Sequence, residues 1–230
     1  MMLQIYSCFI IVYLLIFINQ IDASQITVDS ESSLISALNS NNYNDIIIKN
    51  IITINSEIKS TNPNLNIKGD SSGSSAIQFN NHALFSEGEV LKFNDIDLLG
   101  NITINYHTVD FNNVNFFGNM TISRYDKDGG KVNIENSIFT LFGESGLSFL
   151  EINSYDAKLL NSKFYANPSF NSTGHLIRYY GGESKKFSLL VQESYFYGEY
   201  INTAIDVCFG NIKIINSEFH RCTSFYGAKG

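Results

Sequence analysis

Six eight-residue segments of this chain can be laid over one another without a gap: 91–98, 109–116, 132–139, 157–164, 189–196 and 212–219. Their first places hold Leu91, Val109, Val132, Ala157, Leu189 and Ile212, and their third places Phe93, Phe111, Ile134, Leu159, Val191 and Ile214. Strand alternation sends both of these side chains to one side. The fifth place is polar throughout: Asp95, Asn113, Asn136, Asn161, Glu193 and Asn216. Such residues suit a turn, because short polar side chains bond to nearby backbone and tolerate its left-handed form. The eighth place holds Leu98, Phe116, Phe139, Phe164, Phe196 and Phe219. If each segment is one coil of a solenoid, like residues stack at about 4.8 Å, the spacing of paired strands. The eighth place then becomes a buried core ladder, and the fifth a column of amides bonding coil to coil. The repeats recur at intervals of 18 to 32 residues. That is expected where the core sets the coil and loops vary outside it.

Upstream, short β segments read at 46–48, 52–54, 65–67 and 76–79, separated by Gly, Ser and Asn. Before them, Asp29 and Ser30 can cap a short helix with Leu34, Ala37 and Leu38 on one face. The fold class expected is all-β, a right-handed parallel β-helix with a short N-terminal capping helix; a β-sandwich is the competing architecture. The chain divides into residues 1–23 as a signal peptide, 24–44 as the N-terminal cap and 45–230 as coils.

The repeat resembles parallel β-helix proteins of the pectate-lyase-like superfamily, as does the opening from the capping helix through Leu65-Asn-Ile-Lys-Gly-Asp70. The stretch Asn216-Ser-Glu-Phe-His-Arg-Cys-Thr-Ser-Phe-Tyr-Gly-Ala228 is similar to the repeat of large surface β-helix proteins, though the second Gly of their recurring phrase is absent. The resemblance spans roughly 25–230 and specifies fold better than activity. Solenoid ends require caps. Tyr226-Gly-Ala-Lys-Gly230 instead begins a new coil, which predicts that the C-terminal end is truncated.

Export is read from the N-terminus. An apolar run from Ile5 to Ile18 is too short to span a bilayer comfortably and is followed by small residues at Ala23 and Ser24. No Lys or Arg precedes it, and an uncleaved signal anchor is the alternative. The expected location is extracellular or cell-surface, with no membrane span in the mature chain. Cys8 leaves with the signal, so Cys208 and Cys222 remain, open either to a disulfide or to two buried thiols. Three acceptor sequons then matter: Asn101-Ile-Thr103, Asn119-Met-Thr121 and Asn171-Ser-Thr173. The two matching Gly-Asn-Ile/Met-Thr-Ile phrases would crowd their glycans at one strand spacing, so at most one of Asn101 and Asn119 is expected to be fully occupied. Net charge is -7, with no basic stripe, which excludes nonspecific nucleic-acid binding as a function.

Enzymes of the resembled superfamily act on polysaccharides through clustered carboxylates, or through carboxylate-held calcium with a basic residue. The polygalacturonase-like signatures are of the kinds N-T-D, D-D, G-H-G and R-I-K. The sequence has no Asp-Asp pair, Gly174-His175-Leu176 matches only part of the third signature, and Arg124, Arg178 and Arg221 do not fall in the fourth. Asp126 and Asp128 near Arg124 read as a turn running into Gly129-Gly130. His82, His107, His175 and His220 lack metal-pair spacing, and no cofactor is implied. Tyr165, Tyr179, Tyr180, Tyr195, Tyr197 and Tyr200 are candidates for a face on which sugars stack, Tyr179, Tyr180, Tyr195 and Tyr197 first among them. The expected function is therefore a non-catalytic scaffold or adhesion rod whose partners are polysaccharide or other surface proteins. The alternative is a polysaccharide lyase or glycoside hydrolase whose catalytic coils are missing or degenerate.

Overall fold

The structure is a computed structural model describing residues 24–60, 62–124, 129–144, 147–170, 173–182 and 187–223. The proposed signal peptide, Asn171, Asp126, Asp128 and the last seven residues lie outside the described set. The chain is a parallel β-solenoid: among the described residues, eighteen strands form one continuous sheet, and their pairings are parallel.

Three sheet faces enclose the core. The first carries β1 (Ser24–Val28), β2 (Tyr43–Ile48), β5 (Asn64–Gly69), β8 (Gly130–Glu135), β11 (Tyr155–Leu160), β14 (Ser188–Gln192) and β17 (Asn211–Ile215). The second carries β3 (Ile51–Ile54), β6 (Ala76–Phe79), β9 (Ile138–Leu141), β12 (Lys163–Ala166), β15 (Tyr195–Tyr197) and β18 (Glu218–His220). The third carries β4 (Ile58–Ser60), β10 (Leu147–Asn153), β13 (Gly174–Tyr180) and β16 (Asn202–Cys208). The extended run β7 (Ala83–Ser123) winds through all three, pairing in turn with β4, β5, β6, β8, β9 and β10.

The eight-residue repeat is the pairing register itself. Val132 faces Val109 and Ala157, and Ile134 faces Phe111 and Leu159. Phe116, Phe139, Phe164, Phe196 and Phe219 pair in sequence, with ring centroids 5.3, 5.5, 4.9 and 4.8 Å apart. Leu98 and the first four phenylalanines are buried, whereas Phe219, on the last described coil, is 41% exposed.

All six fifth-place residues have left-handed backbone, with φ between 46° and 55°. The amide column is interrupted: Asn113 donates to Asp95 at 2.7 Å and Asn161 to Asn136 at 2.8 Å, but Asn136 turns to Asn112 at 3.2 Å. The sixth place holds a more regular ladder. Ser137, Ser162, Ser194 and Ser217 each donate to the carbonyl two residues back, at 2.6–2.9 Å. Each also accepts the corner amide of the coil before it, from Val114, Ser137, Ser162 and Ser194 in turn. Turning backbone thus keeps its hydrogen bonds although no strand neighbour supplies them.

A third internal column is tyrosine. Tyr106, Tyr155 and Tyr179 are buried, and their hydroxyls donate to the carbonyls of Asn62, Tyr106 and Tyr155 at 2.5, 2.7 and 2.7 Å. Their rings lie against backbone that only glycine permits: a Cβ on Gly130 would stand 2.5 Å from the Tyr155 ring, and one on Gly210 2.6 Å from that of Tyr179.

At the N-terminal end, α1 (Glu31–Leu38) is capped by Ser30, with Ser33 completing a capping box. It buries Leu34, Ala37 and Leu38, three of the residues that define its apolar face in the sequence. The Glu31 carboxylate accepts the backbone amides of Ser56 and Asn55 at 2.8 Å each, and these bonds hold it below the usual carboxylate range. The stretch 24–44 is more than a cap, since it contains β1, already paired with β2.

Candidate carbohydrate-contact surfaces

Two outward faces carry chemistry. On the second sheet, alternation that buries Phe164 and Phe196 turns their neighbours outward. Lys163, Tyr195 and Glu218 form one column across the coils, and Tyr165, Tyr197 and His220 the next. The Tyr165 ring lies 5.8 Å from Tyr195 and 6.5 Å from Tyr197, and Tyr195 stacks on His220 at 5.0 Å. Arg221 donates to the Tyr197 hydroxyl, and its guanidinium sits 5.1 Å from the Tyr197 ring and 5.0 Å from that of Tyr200. A shallow groove of about 240 Å³ is lined by Lys163, Tyr165, Glu193, Tyr195, Asn216 and Glu218. Flat rings beside carboxylate, amide and ammonium groups can take the apolar face and the hydroxyls of a sugar.

On the third sheet, Glu151, Arg178 and Asp206 stand in register on three successive coils. The Arg178 Nε lies 3.4 Å from Asp206, and the His175 Nε2 lies 3.9 Å from the same carboxylate. A groove of about 340 Å³ runs past Arg124, Glu151, Asn153, Arg178 and Tyr180. The sequence named Arg124, His175 and Arg178 separately and did not unite them with Glu151 and Asp206. The signal was the third-sheet alternation of Leu150, Ile177 and Ile205, which lies outside the six aligned segments.

Of the four leading tyrosines, Tyr195, Tyr197 and Tyr180 are half-buried on outward faces, but Tyr179 is not a contact residue. It faces Ile152 and Val207 inside the core, fully buried and hydrogen-bonded, so its ring is closed to any ligand. Cys208 and Cys222 are separate free thiols rather than a disulfide. Cys208 ends β16 beside Tyr180, while Cys222 follows β18 and donates to the His220 carbonyl at 3.3 Å. Burial pushes the Cys222 thiol up, away from the reactive thiolate. Asn101 is exposed and Asn119 half-buried, at equivalent positions of neighbouring coils.

Among the described residues, no three His, Cys, Asp or Glu side chains gather as a metal ion would require, and no helix is long and apolar enough to cross a membrane. Compared with protein-family models, curated proteins and solved structures, the chain matches none of them.

Proposed function

We propose that this chain is an exported or cell-surface β-helix module, of the pectate-lyase-like kind, that works without catalysis as a rigid rod contacting carbohydrate. The observation that carries the reading is the Tyr165–Tyr195–Tyr197 strip with Lys163, Glu193 and Glu218 along its groove. Stacked coils fix these rings before any ligand arrives, so little side-chain freedom is lost on binding. Affinity electrophoresis through gels containing polygalacturonate or a neutral β-glucan tests it. Retardation in one gel, weakened about tenfold by Tyr195→Ala as expected for loss of one stacking ring, supports the reading. Equal migration of both proteins in every gel overturns it.

A second reading, a polysaccharide-cleaving enzyme, is favoured by the Glu151–Arg178–Asp206 column. Glu151 and Asp206 stand two strand spacings apart, about 9.6 Å at the backbone. Two acids on one face, flanking a basic side chain, are the kind of arrangement glycosidic-bond hydrolysis draws on. New reducing ends from polygalacturonate or β-glucan, lost in both Glu151→Gln and Asp206→Asn, would establish this reading over the first.

A further inference from the structure

The corner that follows the second sheet exposes apolar surface in an otherwise polar stretch. Phe117 and Phe170 are 40% and 45% exposed and Phe142 lies between them, tilted against Phe117 at 4.9 Å and stacked on Phe170 at 4.3 Å between ring centroids. Exposed aromatic clusters of this kind are normally covered by something.

The sequon Asn119-Met-Thr121 begins two residues after Phe117. Gly118 pairs with Leu141 and accepts the amide of Phe142, so Phe142 occupies on the next coil the place Asn119 has on its own. The Asn119 Nδ2 lies over Gly143, 3.8 Å from where that residue's Cβ would be. It opens on a groove of about 330 Å³ lined also by Glu144, Leu147 and Glu151. Asn101 has different surroundings. The residue two before it is Leu99, and its lateral neighbours are Asn80 and Asn119, because Gln78 pairs with Leu99 and Gly118 packs on Gly100.

We propose that Asn119 carries an N-linked glycan whose first N-acetylglucosamine packs its apolar face on Phe142 within the Phe117–Phe142–Phe170 cluster. The proposal rests on the export reading given above. In the transfer, the Asn119 amide nitrogen bonds to C1 of the first sugar of a diphospholipid-linked oligosaccharide. The C1–O bond to phosphate breaks, the lipid diphosphate leaves, and the amide proton passes to a base of the host transferase. Asn101 lies between Asn80 and Asn119, with asparagine rather than phenylalanine at the equivalent place of the next coil, so the Asn119 glycan is favoured over one at Asn101.

The test is secretion of the full chain from a eukaryotic host, with its own first 23 residues and, in parallel, with a borrowed leader. Glycopeptide mapping should find Asn119 occupied and Asn101 largely empty. Asn119→Gln should lower Tm by roughly 2–4 °C, the shift an aromatic contact gives in a chain of this length. In a Phe142→Ser or Phe170→Ser background, the same substitution should leave Tm unchanged, as a double-mutant cycle requires of coupled groups. An unmodified Asn119 in secreted protein, or an equal Tm loss in all backgrounds, overturns the proposal. Glycoprotein from the borrowed leader alone would defeat the export reading and leave the glycan's seat standing.

Discussion

Each corner serine ties two coils at once, and this is where single residues matter most. Ser162 donates to Leu160 at 2.8 Å and accepts the Ser137 amide at 3.2 Å, the latter in buried surroundings. Ser162→Ala strands that amide, so urea denaturation should show a loss of about 1–3 kcal/mol, the cost of an unsatisfied buried donor. Beside it, the left-handed corner penalises ordinary side chains less when they are Asn or Gly. Glu193, at φ 52° and exposed, is the exception among the fifth-place residues. Glu193→Asn should therefore stabilise the fold by up to about 1 kcal/mol in the same measurement. The fifth-place corner is readable in the sequence because Asn and Asp announce it. The serine column is not, since a buried serine and an exposed one look alike until the partner carbonyl is known.

At the scale of elements, the second-sheet strands are short, and each depends on what its inward residue stacks against. Phe164 sits between Phe139 and Phe196 with centroids 5.5 and 4.9 Å away, whereas Phe219 has Phe196 on one side and is partly exposed. Phe164→Ala should cost about 3–5 kcal/mol, and Phe219→Ala clearly less, as compared by guanidinium denaturation. The strands whose spacing the eight-residue repeat fixes were legible because that repeat fixes both alternation and register. The third sheet was not, because loops of unequal length precede it and hide its register. Tyr179 shows the cost: in the pair Tyr179-Tyr180, alternation allows either ring to face inward, and only the pairing with Ile152 and Val207 selects the first. The charged column of Glu151, Arg178 and Asp206 was hidden by the same missing register.

Over the whole molecule, the tyrosine column makes the fold sensitive to alkali. Burial pushes the Tyr106 phenol up to about 12; burial, then the charge of Asp156, raises Tyr179 as well. The folded state thus favours the neutral phenols. The tyrosines' contribution to stability should be fully present below pH 10, the ordinary tyrosine value, and be lost as pH rises from there through about 12, where the unfolded chain has already released those protons. Phenolate absorbance followed beside circular dichroism should show late-titrating tyrosines ionising together with unfolding; their ionisation in a still-folded protein would contradict the burial argument. The same column has a direction. Tyr179 donates to Tyr155, Tyr155 to Tyr106 and Tyr106 to Asn62, always toward the N-terminus. As a chain emerges from the ribosome, the acceptor for each of these hydroxyls has therefore already been made. The molecule can wind itself up in the order in which it is synthesised, each turn laid on a finished template.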